Sequence, residues 1–195
     1  NNVGALSNLG WATGYLGGLI SLFFVYLLLN YTVNQDYKIF NVSVFIFIGP
    51  FVAVWTVFFG LSLFKQLEKI SFAPPNIFEL VKNLKSEGLP KFLISYFFFN
   101  NAVISIFAFA SMIAAFLFGL SESQILFLGV FINLFGILGC LIFGKFEDTV
   151  GSMLTLKICI ISLLVLTLSL FFIKEYVSFW LIALAIGFFI GPIQA

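Results

Sequence analysis

Residues 124–143 read QILFLGVFINLFGILGCLIF, twenty consecutive positions without a charged side chain and with only two amides, Gln124 and Asn133. At about 1.5 Å per residue, a helix of that length crosses the roughly 30 Å hydrocarbon core of a bilayer. A barrel strand needs only about ten residues and alternates in polarity. This run does neither, and a helix also satisfies every backbone N–H and C=O inside the segment. Five more stretches of the same character flank it, over residues 4–29, 43–64, 91–119, 153–173 and 178–195. The expected fold class is therefore all-α, a polytopic membrane helical bundle with six transmembrane helices.

Composition agrees. The chain is 62% hydrophobic and 9% charged, with 29 Phe, against roughly 45–50% apolar and 25% charged for a soluble domain. Soluble enzymes, secreted disulfide modules and nucleic-acid binders are excluded on that ground, and the lipid bilayer is the expected partner. Nine basic residues, all Lys, oppose eight acids for a net charge of +1, which leaves no surplus for holding phosphate backbones. There is no His, and Cys140 and Cys159 lie inside apolar runs as small packing residues. Zinc, haem and imidazole-assisted nucleophile chemistry thus lack their ligands and bases. No cofactor, no metal and no enzymatic activity are expected. The first apolar stretch has no basic region ahead of it and is too long for a signal peptide. With Asn1 at its start and no polar tail after Ala195, the chain reads as a piece of a longer protein.

The lysines set orientation. Lys65, Lys69, Lys82, Lys85 and Lys91 follow the second span and Lys145 the fourth, with Lys157 a little further in, whereas the alternate connections hold only Lys38 and Lys174. By the positive-inside rule the Lys65–Lys91 and Lys145 connections, and both termini, face the cytoplasm. Within the long connection, Pro74-Pro75 breaks the chain, Asn76 and Glu79 have capping-box spacing, and Ile77, Leu80, Val81 and Leu84 share one face before Gly88 and Pro90. The pattern predicts a short amphipathic helix at the membrane surface.

Lipid does not drive helices together, so close packing requires small residues on facing surfaces. Gly10, Gly14, Gly17, Gly18 and Ser21 form a groove on the first span, Gly129, Asn133, Gly136, Cys140 and Gly144 a stripe on the fourth, and Ala183, Gly187 and Gly191 another on the sixth. Gly49-Pro50 in the second span allows a hinge or a fixed kink. Polar side chains at membrane depth point to function. Asn100, Asn101 and Ser105 on the third span, with Tyr96 a turn earlier, Asn133 on the fourth and Gln194 on the sixth are candidate lining for a solute cavity. Amides supply donors and acceptors for an amino-acid-like or sugar-like ligand, or for a neighbouring helix. No acid lies deep in any span, so proton or cation coupling is not visible in this stretch.

Between the fourth and fifth spans, residues 144–151 read GKFEDTVG, a cytoplasmic turn bounded by Gly144 and Gly151. Asp148 is placed to accept bonds from backbone amides at the start of the next helix.

The spacing Gly144-x-x-x-Asp148-x-x-Gly151 resembles the loop signature of the major facilitator superfamily, in its second-half copy between helices 8 and 9. Residues 7–18 (SNLGWATGYLGG) are similar to helix 5 of the "unknown major facilitator" branch, which is related to autophagy-linked vacuolar amino-acid effluxers. Residues 92–101 (FLISYFFFNN) resemble the start of its helix 7, and residues 191–195 (GPIQA) a stretch of its helix 10. The resemblance implies a partial major facilitator fold of helices 5 to 10, six of twelve. It divides the chain into residues 1–64 as the last two helices of the first bundle, 65–90 as cytoplasmic linker and 91–195 as the first four helices of the second bundle. It implies a multi-pass permease of a bacterial inner membrane that moves a small solute, an amino acid among the candidates, by alternating access. Asn100, Asn101, Ser105, Asn133 and Gln194 would line the cavity, Gly144, Asp148 and Gly151 would gate, and the Gly10–Gly18 groove would carry the sliding contact. Thr149 and Ser152 stand where the superfamily has basic residues, and Asn101 where the branch has an acid. The alternative is a membrane receptor or assembly scaffold on the same fold, with the segment 74–88 as its binding element.

Overall fold

A computed structural model describes residues 2–33, 48–67 and 88–195. Among the described residues the chain is helical throughout its regular structure, with no strand: α1 (Val3–Val33), α2 (Ile48–Leu67), α3 (Leu89–Phe116), α4 (Glu122–Val150), α5 (Ser152–Ser169, continued by a 3-10 turn over Leu170–Phe172) and α6 (Tyr176–Gln194). Among the described residues five stretches are long and apolar enough to span a membrane: Val3–Leu27, Leu89–Phe116, Glu122–Val150, Ser152–Phe172 and Tyr176–Gln194. The described apolar part of α2, Ile48–Leu61, is shorter. Residues 43–47 of the expected second span and residues 74–87 of the expected amphipathic segment lie outside the described residues.

The outer surface carries what water would reject. Phe58, Phe116 and Phe171 are 72%, 82% and 84% exposed, among dozens of exposed aliphatic and aromatic side chains. An apolar surface of that extent is matched by lipid and makes the chain an integral, multi-pass membrane protein.

By contact the chain forms two compact units, Asn1–Tyr31 with Ser105–Ala195, and Thr32–Ile104. This grouping follows contacts within the present stretch, so its borders fall elsewhere than residues 64 and 90. In the second unit, Phe51, Trp55 and Phe59 stack along one face of α2 with centroids 5.8 and 4.7 Å apart.

In the first unit α4, α5 and α6 pack together, α6 lying alongside α4 in parallel register: a Cβ at Gly187 would meet the Ile132 carbonyl at 2.8 Å, and one at Gly191 would meet the Gly136 carbonyl. The tightest approach is at Gly139, against the carbonyl of Phe188. Pro192, four residues after Phe188, has no N–H with which to bond that carbonyl. The carbonyl freed by Pro192 is thus the one that lies against α4, where only a residue without a Cβ admits it and a Cα–H contact can partly replace the missing bond. Phe143 packs on Phe188 and Phe189, both with centroids at 5.8 Å. At the opposite end Ala114, Leu120, Leu128, Phe179 and Ala183 are buried together. There α3 closes in a Schellman turn, with Gly119 at φ +62° and the Leu120 N–H donating to the Ala114 carbonyl at 3.1 Å.

Helix α1 runs antiparallel to α4. Asn8 lies against Gly144, Tyr15 against Gly136, Gly18 opposite Asn133 and Leu22 near Gly129. Farther along, the rings of Tyr26 and Phe127 are 5.4 Å apart. Positions thus fall along α4 as they rise along α1, and the small residues of α4 serve both neighbours, Gly139 and Gly136 toward α6, Gly136 and Gly144 toward α1.

Candidate functional site: the docked end of α1

Two helix ends with opposite needs meet here. The last turn of α4 carries Glu147 and Asp148 and no basic residue, so both acids sit at the negative pole of their own helix, which is locally unfavourable. The first turn of α1 contains no acid that could satisfy its free N–H groups. The Gly4 N–H donates to Asp148 Oδ1 at 3.0 Å and the Ala5 N–H to Asp148 Oδ2 at 3.1 Å, so one carboxylate takes both amides. A carboxylate on the positive pole of a helix contributes about 0.3–1 kcal/mol when exposed and up to about 2 kcal/mol when partly buried.

Around that clamp the packing is specific. Asn8 is 1% exposed, and its Nδ2 donates to the Gly4 carbonyl at 2.9 Å and to Glu147 Oε2 at 3.0 Å. The other oxygen of Glu147 accepts the Ser152 hydroxyl at 2.5 Å, which ties the start of α5 to the same acid. Ser7 donates its hydroxyl to the carbonyl of Ala195 at the end of α6. A Cβ at Gly4 would come within 2.9 Å of the Glu147 side chain, and one at Gly144 within 2.9 Å of Asn8 Cβ. An open cleft of about 320 Å³, lined by Ser7, Glu147, Asp148, Ser152 and Ala195 among others, lies at this end of the unit.

The expected turn over residues 144–151 differs in form. α4 stays helical through Val150, Gly144 is an interior helical position, and only Gly151, at φ +91°, separates α4 from α5. A glycine costs a helix about 1 kcal/mol, less than breaking backbone bonds near lipid, so Gly144 does not end it. Asp148 accordingly bonds the start of α1 and not, as its position in sequence implied, the start of the following helix.

The remaining candidates separate. Gln194 accepts a 2.5 Å bond from the Tyr15 hydroxyl, whose ring lies where a Cβ on Gly136 would touch it at 3.3 Å. Asn133 Nδ2 turns back to the Gly129 carbonyl of its own helix at 2.9 Å. Asn101 does the same with the Phe97 carbonyl at 2.8 Å and is exposed, Asn100 is half-buried and Ser105 exposed. Asn100 and Asn101 belong to the unit Thr32–Ile104, whereas Ser105, Asn133 and Gln194 belong to the other. Gly10, Gly14 and Gly17 face open space, with no described atom within 4 Å of a Cβ at any of them, and Gly18 looks onto Asn133 Oδ1 at 3.4 Å. Among the described residues no three His, Cys, Asp or Glu side chains gather as metal ligands.

Reading by sequence passed over Asn8, Tyr15, Glu147 and Gly139. Asn8 had a signal, an amide near the start of an apolar span. The partners of Tyr15 and Gly139 are set by helix pairing and leave no local mark. The chain matches no protein-family model, no curated protein and no solved structure.

Proposed function

We propose that this chain is the central part of a secondary transporter of the major facilitator type, which moves a small solute such as an amino acid by alternating access. The observation that carries the reading is the clamp of Asp148 on the amides of Gly4 and Ala5. It joins α1 to the α4–α6 group through polar contacts at one end, while α4 and α6 interlock backbone to backbone at Gly139 and Gly191. A helix clamped at its end by polar contacts, and otherwise packed along small residues of α4 such as Gly136 and Gly129, is suited to dock and release as a body. The two acids at the carboxyl end of α4 are locally unfavourable without α1, so docking offsets a conflict built into α4 and favours two discrete states over a continuum. The clamp also uses the residue that the superfamily resemblance marks as the gate.

On this reading the docked end of α1, the α4–α5 junction and the end of α6 are cytoplasmic, in keeping with Lys145 and Lys157 near that junction, and the membrane is the inner membrane of a bacterium. Asn100 and Asn101 in one unit, and Ser105, Asn133 and Gln194 in the other, are the candidate solute contacts, and the open face at Gly10, Gly14 and Gly17 leaves room for a further helix. The experiment is flux of labelled amino acids in proteoliposomes holding the full-length protein. Saturable flux that Asp148→Ala alters supports the reading, and no flux of any amino acid above empty liposomes counts against it.

A further inference from the structure

Gly136 is the point at which three helices converge. Its Cβ direction faces the Tyr15 ring of α1 at 3.3 Å, and its carbonyl faces Gly191 of α6. Trp11, one turn earlier on α1, flanks the same ring with centroids 6.5 Å apart. Held in this way, the Tyr15 hydroxyl reaches Gln194 and donates to Oε1 at 2.5 Å. No described residue bonds the amide nitrogen of Gln194. One of the four hydrogen-bonding sites of that amide thus depends on where α1 stands, because a lone pair of the oxygen is taken while α1 is docked and free once it leaves.

We infer that Tyr15 is a positioning residue for Gln194: seated on Gly136, it holds the amide oxygen while α1 is docked and withholds it from any solute until α1 withdraws. The Asp148 clamp and this neutral pair would then open together, one at the helix end and one a few turns deeper. The inference rests on the transport reading only for what Gln194 meets after release. The pairing itself is independent of it.

Ala12 lies between Asn8 and Tyr15 on α1 and is 4% exposed, so a thiol there reports withdrawal. The full-length protein in native membrane vesicles carries Ala12→Cys in a cysteine-free background, with Cys140, Cys159 and every other native cysteine replaced by Ala, and the rate of reaction with a small maleimide is read, since alkylation needs thiolate and therefore water. Interhelical hydrogen bonds in membranes are small, so Tyr15→Phe and Gln194→Met should each raise the rate about threefold to tenfold. The double variant should rise no further than the larger single effect, because both remove one interaction. Gly136→Ala, which displaces the ring and leaves both polar groups intact, should give a similar rise. Unchanged rates in Tyr15→Phe, or additive effects in the double variant, overturn the inference. Failure of solute flux would instead withdraw the transport reading and leave the alkylation result standing.

Discussion

Asp148, on the last turn of α4, accepts a 3.0 Å hydrogen bond from the backbone N–H of Gly4, 144 residues earlier in the chain. With the Ala5 N–H on its second oxygen, it serves as a cap that α1 does not supply for itself. A helix normally draws such a cap from the residue before its first turn. Here the cap belongs to another helix, and so docking and capping are one event.

Removing the carboxylate should therefore release α1. Asp148→Ala strips two amides of their acceptor, at about 1–3 kcal/mol, while Asp148→Asn keeps one acceptor oxygen and should fall between it and the parent. The measurement is maleimide reactivity of Ala12→Cys in the cysteine-free background, with the order parent, Asn, Ala expected to rise. Equal reactivity in all three would show that the clamp does not hold α1.

The glycines should divide into two groups. Gly139→Ala forces a methyl group into the Phe188 carbonyl and should lower the thermal unfolding temperature in detergent, with overpacking costing about 1–3 kcal/mol or more. Gly10→Ala, Gly14→Ala and Gly17→Ala meet no described atom and should leave unfolding within about 0.5 kcal/mol of the parent or raise it slightly. If these three left stability intact yet slowed transport, the open face would be marked as a moving contact. Loss of stability on their substitution would instead make it a static one.

Native cysteines should be silent. Cys140 and Cys159 are both fully buried and unpaired, so in the folded protein in membranes neither should take up maleimide, and both should do so after denaturation, as read from the masses of the peptides that carry them. Labelling of either in the native state would mean that the α4–α6 seam opens to water.

Asn101→Leu tests the solute path without disturbing the fold. The Asn101 side chain bonds its own helix at the Phe97 carbonyl and is exposed, so its removal should change stability by less than about 0.5 kcal/mol. A large loss of solute flux at unchanged unfolding temperature would assign it to ligand contact, and unchanged flux would remove it from the path.

Much of the architecture was legible because spanning a bilayer imposes a length and an apolarity that show directly in residues 124–143 and their counterparts. Helix ends shifted by a few residues, as at Val150, where a glycine six positions earlier looked like a stop. Asp148 was legible as a carboxylate awaiting amides. Its partner was not, because local sequence ranks the nearest helix start first and helix pairing is a property of the whole chain. The same holds for Gln194, which stood out as a polar residue in an apolar span but gave no sign that Tyr15 would hold it. Gly139 was hidden for another reason: its role is set by Pro192, through the carbonyl that Pro192 leaves without a donor.

The central claim is that α1 docks on α4 and leaves it during each transport cycle. Asn8→Cys with Gly144→Cys, whose Cβ positions are close, should form a disulfide that staples the two helices. Flux of labelled amino acids through the full-length protein in proteoliposomes is then compared before and after reduction. The account predicts no flux when oxidised and recovery with a thiol reductant; equal flux in both states, with the cross-link verified, would contradict it.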